Sequence, residues 1–280
     1  MSDTSRTLRA ALERPELVVA PFVYDGLQAR LAEAAGFEAA YMTGFGTAAA
    51  RGLPDLGLLT MSEMVENART LARSVAIPIV CDADTGYGSP LNVMRTVREY
   101  ERAGAAALHI EDQVWPKRCG FLEGKAVIPR DEMVSKVRAA CDARRDPDFV
   151  IIARTDALAP EGWESAERRA RAYRDAGADL VFVDGIRSLR DLDTYAERLA
   201  DLPRLYNGQL LPSREIEQRG FRLMIHTGTL AIAFRAVRDA LAELRETGAI
   251  RGAGDLRTFA ELVTLLGVGA ALETEKKYTP

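Results

Sequence analysis

The alternation of short apolar runs with amphipathic stretches constrains the fold of this chain more than any other feature of its sequence. The pair recurs eight times without a break in composition. The apolar runs are LVVAP (17–21), EAAYMTG (38–44), IPIVCDADT (77–85), AALHIEDQ (106–113), FVIIARTDA (149–157), LVFVDGI (180–186), PRLYNGQ (203–209) and FRLMIHTG (221–228). They are mostly continuous rather than alternating, which is typical of strands buried on both faces of a parallel sheet. Eight such units predict a closed (β/α)8 barrel.

The stretches between these runs have helical periodicity. In the stretch 130–145, apolar residues recur at i, i+1, i+4, i+7 and i+8 from Met133, which places them on one face of a helix. Four stretches end in a glycine suited to a left-handed C-cap, at Gly36, Gly104, Gly177 and Gly220. A doubly wound open sheet is the rival architecture, but it normally has a glycine-rich phosphate turn after its first strand. The segment VAPFVYDG (19–26) has no such turn, so the barrel is favoured.

A further helical pattern, DLRTFAELVTLLG (255–267), follows the eighth unit. A barrel does not require it. Its residues Phe259, Leu262, Val263 and Leu266 repeat at i, i+3, i+4 and i+7, so this apolar face must be buried on its own barrel or on a neighbour. The sequence therefore predicts one barrel domain over residues 1–280, with a C-terminal helical extension at about 250–280.

Composition excludes several classes of partner. The net charge is −4, so there is no basic field that would attract nucleic acid. No apolar run approaches the roughly 18 residues that a membrane-spanning helix needs, and the N-terminus lacks the apolar segment of a signal peptide. The three cysteines are an odd number without framework spacing, which is typical of a reduced protein. We therefore expect a cytoplasmic protein with neither nucleic acid nor membrane as a partner.

Polar residues gather where the predicted strands end. Asp82 and Asp84 end the third strand and Glu111 ends the fourth. The ends of strands five to eight add Arg154, Asp156, Asp184, Asn207, Gln209 and His226. In a barrel of this type these ends share one mouth, where the chemistry takes place.

Acids that converge at such a mouth raise each other's pKa or bind a divalent cation. An all-oxygen set of ligands suits Mg²⁺, with Mn²⁺ as the alternative. Any single acid here serves equally well as a helix cap. Taken together, Asp82, Asp84 and Glu111 favour a metal or catalytic role.

The loop after the predicted fourth strand, EDQVWPKRCGFLEGKAVIP (111–129), is long for its place in a barrel and is typical of a lid. Cys119 lies beside the cations Lys117 and Arg118, and cations lower the pKa of a thiol. Cys119 is therefore a candidate acid or base. The alternative, a small buried hydrophobe, fits Cys141 better because Cys141 falls on the apolar face of a helix.

Five motifs resemble the isocitrate lyase and phosphoenolpyruvate mutase superfamily, above all its methylisocitrate lyase and dimethylmalate lyase members. They are GLPDLG (52–57), DADTGYG (82–88), LHIEDQ (108–113), PKRCG (116–120) and IIARTDA (151–157). The resemblance covers roughly residues 8–240. It implies a (β/α)8 barrel, bound Mg²⁺ and a small 2-oxo or 2-hydroxy carboxylate ligand. It also implies a homotetramer whose subunits exchange the last barrel helix.

The resemblance further implies roles for individual residues. Asp82, Asp84 and Glu111 would form the Mg²⁺ shell, directly or through water, and Cys119 would be the proton donor, with Lys117 beside it. The substrate contacts that it implies are Thr43, Gly44, Phe45, Asp55, Gly120, Phe121, Arg154, Asp184 and Asn207, and Arg154 would bind a carboxylate. The base that takes the hydroxyl proton stays open among Tyr41, Asp156 and a metal-bound hydroxide.

The chain departs from the lyase pattern at three positions. Phe121 stands where the lyases have histidine, Asp184 where a glutamate is usual, and Asn207 lacks the Thr-Glu pair that usually follows it. These positions bind the distal carboxylates of citrate-like substrates. A phenyl ring offers a carboxylate no hydrogen-bond donor, so burying one against it is unfavourable. We therefore expect small or alkyl-substituted malates, or oxaloacetate, to be preferred over methylisocitrate.

The leading hypothesis is a Mg²⁺-dependent carbon–carbon lyase acting on a malate-like 2-hydroxy dicarboxylate. It would give a 2-oxo acid and, through an enolate, a second carboxylate. One alternative is an oxaloacetate decarboxylase or hydrolase, and another is a phosphonopyruvate-type mutase or hydrolase, against which Cys119 argues. An alternative of another class is a non-catalytic barrel that binds a carboxylate.

Overall fold

Eight parallel strands form a closed barrel in this computed structural model, which describes residues 3–120, 123–252 and 254–279. The strands follow one another around the barrel in chain order, and β8 pairs with β1. They are β1 Val18–Val23, β2 Ala40–Met42, β3 Ile79–Asp82, β4 Ala107–Glu111, β5 Val150–Thr155, β6 Leu180–Val183, β7 Arg204–Asn207 and β8 Leu223–His226. The predicted (β/α)8 barrel is therefore confirmed.

The helices in the described residues are α1 Asp3–Glu13, α2 Gly26–Ala34, α3 Gly44–Ala50, α4 Met61–Ser74, α5 Pro90–Ala103, α6 Arg130–Ala143, α7 Leu158–Glu161, α8 Trp163–Asp175, α9 Leu189–Arg198, α10 Ser213–Glu217, α11 Gly228–Thr247, α12 Leu256–Leu265 and α13 Val268–Lys276. The predicted helical stretches are all present. The four glycines expected to end helices have positive φ angles of 85°, 94°, 111° and 77°, at Gly36, Gly104, Gly177 and Gly220 respectively. Sequence reasoning missed α1, α3 and α7.

The inside of the barrel is filled by side chains from alternating strand positions. This cluster includes Val18, Ala20, Phe22, Tyr41, Val80, Ala107, Ile152, Phe182, Leu205 and Ile225. Helix α1 adds Leu8 and Ala11 to it and so closes the N-terminal end of the barrel. Arg9 fixes α1 there by donating to the carbonyl oxygens of Asp148 and Phe149, just before β5, at 3.2 Å each. The opposite, C-terminal end is left as the open mouth.

The last helices project an apolar surface away from the barrel. On α11, Ile232, Phe234, Val237 and Leu241 are 55–65% exposed, and none of the helix's described residues is buried. Helix α12 confirms the predicted extension, and Leu265 near its end accepts a hydrogen bond from Arg30 of α2 at 3.2 Å. The apolar face of α12 is exposed in the single chain as well. No helix in the described part of the chain is long and apolar enough to cross a membrane.

Asp112 ties the end of β4 to β5 and α8. Its Oδ1 accepts from the Asp156 backbone N–H at 2.8 Å, and its Oδ2 accepts from the Thr155 and Tyr173 hydroxyls at 2.7 Å each. Arg169 of α8 donates to the same Oδ2 at 3.3 Å, and the Asp112 side chain has no exposed surface. This carboxylate therefore fixes the strand end from which Arg154 and Asp156 enter the mouth.

Replacing Asp112 by alanine should lower the free energy of unfolding by about 3–5 kcal/mol, because Arg169 loses one of its two acidic partners and the buried Tyr173 hydroxyl and Asp156 N–H lose their acceptor. Urea unfolding followed by circular dichroism measures this change. Asp201→Ala is the matched control, since Asp201 pairs with Arg171 at the surface and its side chain is 63% exposed. An Asp112→Ala midpoint equal to that of the control would contradict the role given to Asp112.

Candidate active site

A cavity of about 740 Å³ occupies the C-terminal mouth of the barrel. Its walls contain most of the residues predicted from sequence: Tyr41, Thr43, Phe45, Asp55, Asp82, Glu111, Lys117, Cys119, Gly120, Arg154, Asp184 and Asn207. Gly44 and Asp84 lie just behind this wall, where they line a small adjoining cavity with Asp55. Phe121 lies outside the described residues. The structure thus brings residues from six strand ends, those of β2 to β7, and the lid to one place.

Asp82, the last residue of β3, organises the backbone around it. Its Oδ1 accepts from the Asp84 N–H at 3.0 Å, and its Oδ2 accepts from the Gly44 N–H at 3.2 Å. A Cβ atom on Gly44 would overlap the Asp82 carboxylate, so this position requires glycine. Asp82 therefore has a local structural role, and in this conformation the Gly44 N–H is already engaged by Asp82.

Lys117 of the lid lies between two acids of the barrel. Its Nζ is 2.8 Å from Asp84 Oδ1 and forms an even shorter contact with Asp55 Oδ1. Burial raises the pKa of Asp84 to about 6, although Lys117 acts in the opposite direction. Burial also favours the neutral amine of Lys117, but the surrounding carboxylates outweigh it and raise the lysine pKa well above its usual value. Lys117 is thus a permanent cation that joins the lid to the barrel.

The lid, residues 113–128, is folded against the loop 51–60. Its two stems meet at an antiparallel bridge between Gln113 and Val127. The Cys119 N–H donates to the Asp55 carbonyl oxygen at 3.2 Å. Gly57 has a φ of +70° and leaves room only for the ring of Trp115 beside it. These contacts hold the lid over the cavity.

Arg154 is surrounded by acids. Its Nε lies 3.2 Å from Glu111 Oε2 and 2.8 Å from Asp156 Oδ2, and its Nη2 lies 2.9 Å from Asp156 Oδ1 and 3.0 Å from Asp184 Oδ2. The guanidinium carbon also lies 5.1 Å from the centre of the Phe182 ring. No hydrogen bond from Nη1 is found within the described residues. Most of the guanidinium group is therefore bound by the protein, and Nη1 is the donor left for a ligand.

Tyr41 and His109 form a buried pair, of which the sequence analysis named only Tyr41. The Tyr41 hydroxyl and His109 Nε2 are 2.7 Å apart, and the same nitrogen is 3.7 Å from Asp82 Oδ1. Burial lowers the pKa of His109 to about 4 and raises that of Tyr41 well above its usual value, so both side chains are neutral near pH 7. His109 and Glu111 share one face of β4, because side chains alternate along a strand. That alternation was the signal that could have identified His109.

The side chains at the mouth carry more negative than positive charge. Six carboxylate side chains are at most 9% exposed: Asp55, Asp82, Asp84, Glu111, Asp156 and Asp184. Three buried cations oppose them: Lys117, Lys125 and Arg154. Glu111 Oε1 is buried without a hydrogen-bond partner among the described residues. This excess of carboxylate suits a divalent cation.

No group of three or more His, Cys, Asp or Glu side chains in the described part of the chain is already arranged around a metal position. Mg²⁺ does not require such a cage, because it keeps several water molecules and is commonly bound through one or two carboxylates. The residues therefore fit Mg²⁺ by donor type, by charge and by the unpartnered Glu111 oxygen.

Comparisons with known proteins show which family the chain belongs to. The chain matches the phosphoenolpyruvate phosphomutase family over residues 8–245. It is 39% identical to the 2,3-dimethylmalate lyase of Eubacterium barkeri over 284 residues, which cover 99% of this chain and 98% of that protein. It is 43% identical to a probable 2-methylisocitrate lyase of Corynebacterium glutamicum, over 88% of this chain and 82% of that protein.

A solved structure gives the same result. Oxaloacetate acetylhydrolase, in complex with the inhibitor 3,3-difluorooxalacetate, superposes with a TM-score of 0.93 at 42% identity and covers 98% of this chain and 97% of that one. The lyases named above also indicate a carbon–carbon lyase. The resemblance predicted from the five motifs is therefore confirmed, and this chain belongs to the phosphoenolpyruvate mutase and isocitrate lyase superfamily.

Proposed function

We propose that this carbon–carbon lyase depends on Mg²⁺ and cleaves a malate-like 2-hydroxy dicarboxylate to a 2-oxo acid and a second carboxylate. The observation that carries the proposal is the composition of one cavity wall. Cys119, Asp82, Glu111 and Arg154 all line the same cavity under the lid. An acid, a metal-binding pair and a carboxylate-binding cation are the parts that such a cleavage needs.

Asp82 and Glu111 would hold the Mg²⁺ ion, and Asp84, which faces Lys117, would contribute through water. Bound Mg²⁺ supplies a Lewis acid that stabilises negative charge on a substrate oxygen. Burial, and to a smaller extent the neighbouring carboxylates, raise the pKa values of Asp84 and Glu111, and a bound cation would favour their charged forms.

The remaining residues would orient the dicarboxylate. Arg154 Nη1 would bind one carboxylate at the edge of the guanidinium that the protein leaves unused. Asn207 Oδ1, which is buried without a partner among the described residues, would accept a hydrogen bond from the substrate hydroxyl. Thr43, Gly44 and Phe45 at the start of α3 would form the opposite wall. The two ends of the substrate are thereby fixed across the bond that breaks.

Cleavage of the C2–C3 bond releases the C2 hydroxyl proton to a base, for which Asp156 stays the candidate side chain, and an acid then protonates the enolate carbon. Cys119 would protonate the enolate carbon that forms when the C2–C3 bond breaks, and Lys117 beside it would hold the lid in place. Tyr41 remains protonated because burial raises its pKa, so it acts better as a hydrogen-bond donor to the substrate than as the base. The closed lid excludes water that would otherwise protonate the enolate.

A second candidate function is cleavage or decarboxylation of oxaloacetate. It is favoured by the close structural likeness to oxaloacetate acetylhydrolase. The same residues would bind oxaloacetate. Its two carboxylates match those of a 2-hydroxy dicarboxylate in position, and its 2-oxo group takes the place of the 2-hydroxy group. Decarboxylation would not need the Cys119 thiol.

We also propose a homo-oligomer, as in the tetramers expected of the family. The support is the exposed apolar face of α11, where Phe234 is 65% exposed and also lines the cavity. A second copy that covers this face would bury apolar surface and complete the outer wall of the mouth. The three cysteines without framework spacing support a cytoplasmic location.

Cys119→Ser should reduce kcat on the preferred 2-hydroxy dicarboxylate by about 10²–10⁴-fold, the usual contribution of a general acid. Decarboxylation of oxaloacetate, if present, should be unchanged. Both are measured as release of 2-oxo acid or CO₂. Cys141→Ser on α6 is the matched control and should retain both activities. Full lyase activity in the Cys119 variant would exclude the thiol as the acid.

Asp82→Asn should abolish Mg²⁺ binding measured by titration calorimetry, because the variant removes a charge but keeps the size of the side chain. Asp142→Asn, an acid on the exposed side of α6, should bind Mg²⁺ as the wild type does. Circular dichroism checks that the Asp82 variant is folded. Wild-type affinity in a folded Asp82→Asn protein would remove Asp82 from the metal shell.

The substrate class is tested by kcat/KM across malate, alkyl-substituted malates, oxaloacetate, isocitrate and 2-methylisocitrate with Mg²⁺ present. Because Phe121 has no group that binds a distal carboxylate, the small and alkyl-substituted acids should exceed the two tricarboxylates. Phe121→His should shift the ratio toward the tricarboxylates. A wild-type enzyme that prefers 2-methylisocitrate would show that another residue holds the third carboxylate.

A further inference from the structure

Lys125, in the C-terminal stem of the lid, is a buried cation that the proposed reaction does not use. Its Nζ lies 2.8 Å from Asp156 Oδ1 and 3.3 Å from Asp184 Oδ2, and its side chain is 1% exposed. Asp156 follows β5 and Asp184 follows β6. One lid side chain therefore reaches across to two neighbouring strand ends.

Asp184 also contacts the lid at Gly120. A Cβ atom on Gly120 would overlap Asp184 Oδ2, and it would lie 2.8 Å from Arg154 Nη2. The lid backbone at Gly120 is therefore in direct contact with this ion pair. Gly120 and Lys125 lie on either side of residues 121–122, so Asp184 contacts both arms of the lid.

The hydrogen-bond partners of Asp184 leave it little capacity to bind substrate. Its Oδ1 accepts from Asn207 Nδ2 at 3.2 Å, and its Oδ2 is 3.0 Å from Arg154 Nη2 and 3.3 Å from Lys125 Nζ. Both carboxylate oxygens are thus engaged and the charge is balanced by two cations. A residue that binds substrate keeps a polar atom without a protein partner, whereas both carboxylate oxygens of Asp184 have partners.

We propose that Lys125 and Asp184 form a latch that holds the lid closed over the cavity, with Lys125 as a positioning residue for Cys119 and Arg154. Desolvation of two charges offsets most of their mutual attraction in a buried ion pair. When the lid lifts, water solvates both groups again. The closed and open states of the latch therefore differ little in free energy, as is required of a lid that opens in every turnover.

The catalytic part of this proposal rests on the proposed function, but the latch itself is tested without any substrate. Cys119 is partly exposed in the closed state, and lid opening adds to that exposure, so a rise in its rate of alkylation by iodoacetamide, followed by peptide mass spectrometry, reports more frequent opening of the lid. Cys141 on α6 is the internal control in the same protein. Lys125→Met and Asp184→Asn should each raise the Cys119 rate about tenfold, an effect of ordinary size for residues in contact. The Cys141 rate should stay unchanged.

The pair of variants separates lid opening from a change in thiol acidity. Loss of the Lys125 cation by itself would raise the thiol pKa and slow alkylation, whereas loss of the Asp184 anion would speed it. A latch predicts faster alkylation in both. Slower alkylation in Lys125→Met, or wild-type rates in both variants, would overturn the proposal.

Three further measurements complete the experiment. The double variant should be no faster than the faster single variant, because either change releases the same contact. Lys276→Met, which removes a surface ion pair with Glu273, should match the wild type. Lys125→Gln replaces Lys125→Met if the latter does not fold. If the wild type has no lyase activity but the variants show the predicted alkylation pattern, the proposed function is overturned and the latch is supported.

Discussion

The buried guanidinium of Arg154 is the interaction on which the mouth of this barrel depends. Charged groups removed from water must be paired, and Arg154 is within 3.2 Å of Glu111, Asp156 and Asp184. These acids come from three neighbouring strand ends, so one cation sets the distance between β4, β5 and β6 at the rim. Asp112 then fixes β5 from behind through the Asp156 N–H and the Thr155 hydroxyl. The position of each acid is therefore determined by a partner of opposite charge or by a backbone donor.

The lid supplies the other two cations of the site. Lys117 meets Asp55 and Asp84, and Lys125 meets Asp156 and Asp184, so the two lysines attach opposite arms of one loop to opposite sides of the mouth. Without them the mouth would hold six carboxylates and one arginine. The two lysines thus reduce the excess negative charge of the site only when the lid is in place. Lid position and the electrostatics of the cavity are consequently coupled.

The sequence predicted the barrel well because its signal is repeated eight times and each unit is local. Continuous apolar runs, helical periodicity and terminal glycines all indicate the same architecture. It also predicted which strand ends meet at the mouth, since the fold places those ends together. The partners within the site were harder to predict. Nothing in EGKAVIP (123–129) distinguishes Lys125 from a solvated lysine, because its ion pairs join residues 31 and 59 positions apart.

Two other differences have the same origin. His109 looked like one more residue of an apolar strand, and only the closure of the barrel places it against Tyr41. Arg154 was predicted to bind a substrate carboxylate, but nothing in the sequence indicated that its Nε and Nη2 already donate to Asp156, two residues further along the chain. Helix α1 was missed because its buried face is short and it closes a barrel end that the repeat does not describe.

The two glycines that abut carboxylates have a consequence for the evolution and redesign of this enzyme. Gly44 leaves no room for a methyl group beside Asp82, and Gly120 leaves none beside Asp184. A side chain at either glycine would therefore overlap an acid, so substitution of these two glycines is disfavoured. Variation in specificity has to enter elsewhere, through wall residues whose side chains have space, such as Phe45, which is 45% exposed. A library aimed at new substrates would keep both glycines and vary that wall.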